Sequence, residues 1–248
     1  TKSGGVSQAW DLAHTRPHLL KQGEAKKYRP ALKEFQRRVD KNIAGIEDIP
    51  TSAHAFASFG DAQNLPLVSE TVDLLFTSPP YASNAIDYMR AHKFSLVWMG
   101  KQVEELSTLR TKYIGGESID REKLLPMPPD TARIIERIHA ADAKKAQVLH
   151  RYYSEMSRTL AEAFRVLKPG KAAFFVVGTS NMRGIDTQTQ DCLSEIGASV
   201  GFEPAGIGVR QLDRDRRMMP ARKNQTASQI EQRMHEEYVV ALLKPERS

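Results

Sequence analysis

The chain is poor in cysteine: Cys192 is the only one among its 248 residues. One thiol excludes an internal disulfide and any metal site built from several cysteines. A chain without disulfides suits a reducing compartment, so we expect a cytoplasmic location. His, Asp and Glu residues do not show the spacing of a metal site either, and we predict that no metal is bound.

Long apolar runs are missing as well. No stretch of about 18 apolar residues is present that could cross a bilayer, and residues 1–8 lack the apolar core of a secretory signal. We therefore expect no membrane partner. Internal repeats and low-complexity tracts are also absent, which argues against a repeat architecture.

The composition is that of a globular protein with a moderate basic excess. Apolar residues make up 40% of the chain and charged residues 27%, which is enough for a packed core. Lys and Arg number 36 against 30 Asp and Glu, a net charge of +6. This excess suits a polyanionic partner such as nucleic acid, although solubility alone explains the same balance.

Hydrophobic periodicity divides the chain into an N-terminal helical segment, residues 1–50, and an α/β domain, residues 51–248. In the first segment, apolar residues recur at three- and four-residue steps, as in an amphipathic helix. The stripe consists of Leu32, Phe35, Val39, Ile43 and Ile46.

Strands alternate with helices in the second domain, which predicts a doubly wound α/β sheet. Ligands of such sheets bind beyond the carboxyl ends of the strands, and Gly60-Asp61-Ala62 and Thr77 fall at two such ends. Apolar runs predict strands at 53–59, 72–76, 172–177, 205–212 and 238–243, helical patterns lie at 83–99, 130–167 and 187–200, and a polar insert lies at about 100–130.

The most informative segment is 77–81, Thr-Ser-Pro-Pro-Tyr, directly after a predicted buried strand. Pro79 and Pro80 have φ fixed at about −65°, which stiffens the turn. The Ser78 hydroxyl and the Pro79 carbonyl can then accept hydrogen bonds from an exocyclic amine. Tyr81 offers an aromatic face to a base rotated out of a duplex. An isolated turn of this type is more often structural, but its position after a buried strand favours a catalytic role.

These residues resemble the catalytic turn of the amino-group DNA methyltransferases, which modify cytosine N4 or adenine N6. That turn is Asp/Asn/Ser-Pro-Pro-Tyr/Phe/Trp, and Ser78, Pro79, Pro80 and Tyr81 match it. The resemblance covers about residues 56–245 and implies a Rossmann-like methyltransferase sheet. It also implies that Ser78 and the Pro79 carbonyl bind the target amine while Tyr81 stacks on the base.

The resemblance further implies that S-adenosylmethionine binds at the strand ends. Gly60-Asp61-Ala62 is similar to the acidic strand end that contacts the cofactor's adenine in this family. The alternative is that Asp61 only caps a turn or a helix. We expect Asp61 and Ala62, together with Thr77 and Ser78, to contact the cofactor.

One feature of the family is absent from this sequence. Its members hold the methionine end of the cofactor on an Asp-Pro-Phe-x-Gly-x-Gly turn, and no glycine cluster here follows a strand and opens a helix. A sheet without the strands that carry this turn is incomplete, missing its first strands, and has exposed edges. We therefore expect a partner chain or a missing N-terminal segment to supply the cofactor loop. The chain alone should bind cofactor weakly or not at all.

A basic segment lies between the last two predicted strands. Residues 209–223 contain six basic and two acidic residues, a net charge of +4. We predict phosphate contacts beside the catalytic turn, with a solvated loop as the alternative. Residues 178–183 are also expected to border the target pocket. The basic residues are Arg210, Arg214, Arg216, Arg217, Arg222 and Lys223.

Three other residues have simpler interpretations. Methylation at carbon-5 of cytosine needs a thiolate nucleophile, but Cys192 lies within a predicted helix and is expected in the core. We expect His92 to be a packed or surface histidine and Asp73 to be structural.

The sequence therefore predicts methylation of an exocyclic amine in DNA, as in restriction–modification systems. Cytosine N4 is favoured over adenine N6 because serine stands at position 78. Two alternatives stay open: an RNA base methyltransferase, and a non-catalytic nucleic-acid-binding subunit of a split methyltransferase. No RNA-binding module is visible, and intact Ser78 and Tyr81 argue against a loss of catalysis.

Overall fold

The computed structural model describes residues 30–46, 54–82, 92, 95–116, 120–178, 180–211 and 236–246. They belong to two compact units, Thr1–Phe59 and Gly60–Ser248. None of the helices in the described part of the chain could span a lipid bilayer.

The first unit contains one described helix, α1 (Ala31–Ala44). It confirms the helical spacing, yet none of its residues is buried. The strand predicted at 53–59 is wrong for residues 54–59, which have no regular secondary structure. A strand forms by pairing with a neighbour, and no described strand pairs with this segment. Phe56 and Phe59 are consequently exposed.

The second unit is built on a four-stranded sheet. Its strands are β1 (Val72–Thr77), β2 (Leu167–Gly178), β5 (Glu203–Gln211) and β6 (Glu236–Leu243), and β3 (Asn181–Met182) pairs separately with β4 (Ile185–Asp186). The order is β1-β2-β6-β5. β1 and β2 are parallel, while β6 runs antiparallel to both of its neighbours. This α/β sheet agrees with the predicted fold class.

Most of the helices connect β1 to β2. They are α2 (Glu105–Lys112), a short 3₁₀ turn (Arg121–Lys123), α3 (Pro129–Ala141) and α4 (Ala143–Val166), and α5 (Thr189–Val200) follows β4. The single helix predicted at 130–167 is two helices, because Asp142 has extended backbone with φ of −160°. Its side chain caps α4 by accepting the Lys145 N–H at 3.0 Å.

The core lies on one face of the sheet, where α4 and α5 pack and α3 contacts both helices. Phe175 of β2 and Leu242 of β6 point to that face and are fully buried. Side chains alternate along a strand, so Leu74 and Phe76 of β1 lie on the other face. They are 59% and 68% exposed, and the prediction that β1 is buried on both faces is wrong.

Candidate active site

Strand β1 delivers the Ser-Pro-Pro-Tyr turn to the carboxyl end of the sheet. β1 ends at Thr77, and residues 78–81 continue without regular secondary structure. Ser78 is exposed and Pro79 is buried, whereas Pro80 and Tyr81 are half-buried. The turn therefore places the Ser78 side chain at the surface, while the next residue, Pro79, is buried and restricts the backbone.

Two oxygen acceptors of this turn are open within the described part of the chain. No described residue hydrogen-bonds the Ser78 hydroxyl or donates to the Pro79 carbonyl. Pro79 and Pro80 carry no N–H, so neither places a backbone donor where the N–H groups of an amine would approach. This arrangement can receive the two N–H groups of an amine.

The Tyr81 ring is held through its hydroxyl. The hydroxyl donates to Glu237 Oε1, on β6, at 3.1 Å. The other carboxylate oxygen of Glu237 lies 3.7 Å from the Arg210 guanidinium on β5. A half-buried ring with a held hydroxyl has a defined plane and keeps part of its surface open to another ring.

Asp61 lies at the surface within a turn. Its Oδ1 accepts the Gln63 N–H at 2.9 Å, and its backbone carbonyl accepts the Asn64 N–H at 2.9 Å. The turn-capping role left open from the sequence is therefore present. A carboxylate has two acceptor oxygens, so this role is compatible with a second contact to a ligand.

The two sequence-predicted segments meet at one cleft of about 540 Å³. This volume falls within the range of about 300–1,000 Å³ typical of small-molecule sites. Thr77 and Ser78, which were predicted to contact the cofactor, do not line it. The lining residues are Gly60, Asp61, Ala62, Pro80, His92, Leu96, Tyr113 and Ile114.

Four of these lining residues were not predicted as site residues. His92 is exposed, as its surface interpretation allowed, but it borders the cleft. Leu96 belongs to the helical pattern predicted at 83–99, whereas Tyr113 and Ile114 come from the polar insert, where no hydrophobic period marks an element. An adjacent aromatic and aliphatic pair within that insert, Tyr113-Ile114, is the one signal that could have identified the wall.

Of the six residues predicted to contact phosphate, Arg210 is among the described residues. Arg210 is exposed on β5, and its guanidinium faces Glu237. The phosphate contacts stay a prediction. The others lie outside the described residues: Arg214, Arg216, Arg217, Arg222 and Lys223.

The expectation that Gly178, Thr179, Ser180, Asn181 and Arg183 border the target pocket stays a prediction, and Thr179 lies outside the described residues. Gly178 pairs with Glu237 in the sheet and so lies beside the Tyr81 tether. Ser180 is buried, and its hydroxyl lies 2.8 Å from the Thr187 hydroxyl. Arg183 pairs with Asp142 at 2.7 Å. Neither Ser180 nor Arg183 lines the cleft, because each is engaged elsewhere.

Cys192 is buried in α5, which confirms its predicted core position. Its thiol donates to the Thr187 carbonyl at 3.6 Å, and burial raises the pKa of the thiol. An enclosed, protonated thiol is a poor nucleophile, so this residue does not support carbon-5 chemistry. Across the described residues, no group of three or more His, Cys, Asp or Glu is placed to hold a metal.

The chain is similar in sequence to known methyltransferases. No protein-family model matches the chain. The chain is 28% identical to the type II methyltransferase M.AvaI of Nostoc sp. over 155 residues, which are 55% of this chain and 32% of that protein. It is 23% identical to the type II methyltransferase M.MvaI of Kocuria varians over 184 residues, 66% of this chain and 40% of that protein. The chain thus spans well under half the length of these curated relatives.

Solved structures give a weaker likeness. TTHA0409 of Thermus thermophilus, a candidate DNA modification methylase, has a TM-score of 0.38 and 18% identity, covering 76% of this chain and 53% of that one. Its complex with S-adenosyl-L-methionine has a TM-score of 0.38 and 17% identity, covering 76% and 55%. The curated relatives confirm the resemblance to methyltransferases that the Ser-Pro-Pro-Tyr turn indicated.

Proposed function

We propose that this chain forms the target-base part of an S-adenosylmethionine-dependent methyltransferase that modifies an exocyclic amino group in DNA, cytosine N4 in preference to adenine N6. The observation that carries the proposal is the cleft between Asp61 and Pro80, one residue from the Pro79 carbonyl, to which no described residue donates. The likeness to type II methyltransferases supports the reaction class.

The chain's own contribution to the chemistry is to activate the amine. An exocyclic amine is a poor nucleophile because its lone pair is delocalised into the ring. The Ser78 hydroxyl oxygen and the Pro79 carbonyl accept its two N–H groups, which draws the nitrogen toward tetrahedral geometry. Because the turn is rigid, these acceptors need little reorganisation. When bound, S-adenosylmethionine supplies the methyl group: the N–C bond forms as the C–S bond breaks, sulfur keeps the electron pair, and the nitrogen releases one proton to solvent.

Tyr81 holds the base in place for this step. A base within a duplex must be rotated out before its amine can reach an enzyme. The half-buried Tyr81 ring, fixed by Glu237, provides a stacking surface directly beside the acceptors. Stacking of a base on an aromatic side chain contributes about 1–3 kcal/mol.

The cleft fits the adenosine portion of the cofactor but not its methionine portion. Asp61 provides a carboxylate acceptor for the adenine amine, and the side chains of Pro80 and Leu96 provide apolar surface. Neither lysine nor arginine is among the described lining residues, so the methionine carboxylate has no strong cationic partner there. This one-sided fit supports a second segment that holds the methionine end.

We infer that this segment also completes the sheet at β1. Among the described strands, β1 pairs with β2 alone. Parallel strands are ordinarily covered on both faces, yet Leu74 and Phe76 are exposed. A further strand-bearing segment, from a partner chain or from the same polypeptide, would pair with this edge, pack on the exposed face of β1 and carry the Gly-rich cofactor turn.

The test is a methyl-transfer assay with tritiated S-adenosylmethionine on DNA and on RNA. Each substrate is assayed with the chain alone and with a polypeptide that carries the Asp-Pro-Phe-x-Gly-x-Gly turn. We expect transfer to DNA only in the completed mixture, with N4-methylcytosine as the product. Transfer to RNA alone would favour the RNA alternative, and DNA binding without transfer in every mixture would favour a non-catalytic subunit.

A further inference from the structure

One wall of the cleft comes from the polar insert, and side chains of helix α4 hold the backbone of this wall in place. We propose that segment 111–116, clasped by Arg151 and Glu155 of α4, forms an adenine-stacking wall whose contact residue is Tyr113. This inference rests on the proposed function, since it names the part of the cofactor that the cleft takes. Arg151 and Glu155 act through the segment and are positioning residues.

The clasp is an ion pair one helical turn apart. Arg151 Nε donates to Glu155 Oε1 at 2.8 Å, and both side chains are only 11% exposed. Pairs at this spacing on an exposed helix contribute little, but here each partner also binds backbone of the insert. The Arg151 guanidinium donates to the carbonyls of Thr111, Tyr113 and Gly116, at 2.8, 3.2 and 3.2 Å.

Glu155 completes the clasp from the other side. Its Oε2 accepts the Gly115 N–H at 2.7 Å. Gly115 has φ of +75°, a conformation that glycine adopts without strain. A buried charge without such partners would be costly, so the four backbone contacts are what make this pair tolerable. The result is a short segment with its backbone held at four points.

Within the segment that Arg151 and Glu155 hold, Tyr113 and Ile114 line the cleft. They line the same space as Asp61 and Pro80, although Tyr113 lies more than fifty residues after Asp61 in the chain. The lining is mainly apolar and adds the Asp61 carboxylate and the His92 imidazole, which suits a flat, neutral ring that bears an amine. A phosphate or another anion is a poorer match, because Asp61 repels it and the described lining holds no lysine or arginine. Adenine has the required shape, neutrality and exocyclic amine.

The experiment measures binding of adenosine to the full chain by saturation-transfer NMR, with free methionine as the comparison. We expect adenosine to bind weakly, in the millimolar range, and methionine not to bind. Tyr113→Ala should weaken adenosine binding about tenfold, whereas Tyr113→Phe, which keeps the ring, should stay within about twofold. Thermal unfolding of each variant checks that it is folded.

The clasp is tested in the same assay. Arg151→Met should weaken adenosine binding by a factor similar to that of Tyr113→Ala, because the segment loses its three carbonyl contacts. The matched control is Arg158→Met, which removes another arginine of α4 that donates to an insert carbonyl, that of Lys123, away from the cleft. The inference is overturned if wild-type chain binds no adenosine, or if Tyr113→Ala and Arg151→Met bind it as wild type does. Neither result would alter the outcome of the methyl-transfer assay, so failure of the two proposals can be told apart.

Discussion

The Tyr81 hydroxyl donates a hydrogen bond to Glu237 Oε1 across 3.1 Å, which joins the Ser-Pro-Pro-Tyr turn to a strand 156 residues further along the chain. Arg210 approaches the other oxygen of the same carboxylate at 3.7 Å. The residue predicted to stack on a base and the first residue predicted to contact phosphate therefore share one anchor.

Removal of this anchor should reduce turnover. Glu237→Ala leaves the Tyr81 hydroxyl without its carboxylate, and a hydrogen bond of this kind is worth about 1 kcal/mol or more. We expect kcat of the completed enzyme to fall about tenfold with little change in KM for S-adenosylmethionine. Steady-state methyl transfer measures both quantities.

Two variants serve as controls for the anchor. Glu237→Gln keeps an acceptor oxygen and should recover most of the lost turnover. Glu203→Ala removes an exposed glutamate at the opposite end of β5 and should leave turnover unchanged. Wild-type kcat in Glu237→Ala would show that the tether does not position the ring.

Ser78 should matter for turnover rather than for stability. Its side chain is exposed, so Ser78→Ala should leave the free energy of unfolding within about 0.5 kcal/mol of wild type. Loss of one amine acceptor should lower kcat about tenfold. Ser199→Ala, on the exposed surface of α5, is the matched control. An equal loss of activity in both variants would contradict a direct role for Ser78.

The sequence points to the Ser-Pro-Pro-Tyr turn as a candidate site because the signal lies in adjacent residues. A buried strand leaves an unbroken run of apolar residues, and a diproline followed by tyrosine directly after that run is a specific signal. Asp61 was predicted from the end of a neighbouring apolar run, 53–59, which is not a strand where the structure describes it. The structure nevertheless brings the Asp61 turn and Pro80 to one cleft.

The adjacent Tyr113-Ile114 pair is a local signal for this wall, but the sequence could not place the pair at the cleft, because its position depends on residues about 40 positions away. Arg151 and Glu155 look like an ordinary surface pair on an amphipathic helix, and only the fold shows that they hold the insert. The break at Asp142 was missed because the helical period runs through it. The exposure of Leu74 was missed for another reason. An apolar residue in a strand indicates that its side chain is favoured in a buried position, but it does not show which part of the molecule buries it.

The Glu195 carboxylate should make stability depend on acid pH. It accepts the N–H groups of Asp130 and Thr131 at 2.9 and 2.8 Å and the Thr131 hydroxyl at 2.6 Å, at the start of α3. Burial alone would raise the pKa of Glu195, but these hydrogen bonds lower it below its ordinary value of 4.5. A lowered folded-state pKa gives stability that is complete above pH 4.5 and is lost as the pH falls through the lowered value.

Urea unfolding at several pH values tests this dependence. Glu195→Gln should lower the free energy of unfolding by about 1–3 kcal/mol at neutral pH. Below pH 4.5 the difference between wild type and variant should shrink, because the wild-type carboxylate is then protonated as well. Glu136→Gln, an exposed position on α3, is the control. A difference that stays constant from neutral to acid pH would argue against the ionised cap.

A side chain at Gly197 should crowd the buried Leu242 side chain. A Cβ at this position would lie 2.7 Å from Leu242 Cδ1 and 3.0 Å from Cδ2, where α5 packs on β6. Gly197→Ala should therefore destabilise the chain by about 1–3 kcal/mol, although alanine is the better helix former. In the double variant with Leu242→Val, part of this loss should be recovered, and urea unfolding of the single and double variants gives the coupling. Strictly additive losses would contradict the contact.

The exposed face of β1 should matter for assembly and not for the chain's own stability. Phe76 is 68% exposed, so Phe76→Lys should change the free energy of unfolding of the isolated chain by less than about 0.5 kcal/mol. If a completing segment covers this face, the same substitution buries a charge on association, which is strongly unfavourable. Methyl transfer in the completed mixture should then be lost or should require much higher concentrations of the segment.

Phe175→Ala is the opposite case, because Phe175 is fully buried and its truncation should cost about 3–5 kcal/mol in the isolated chain. Unimpaired complementation by Phe76→Lys would mean that the segment does not cover this face of β1.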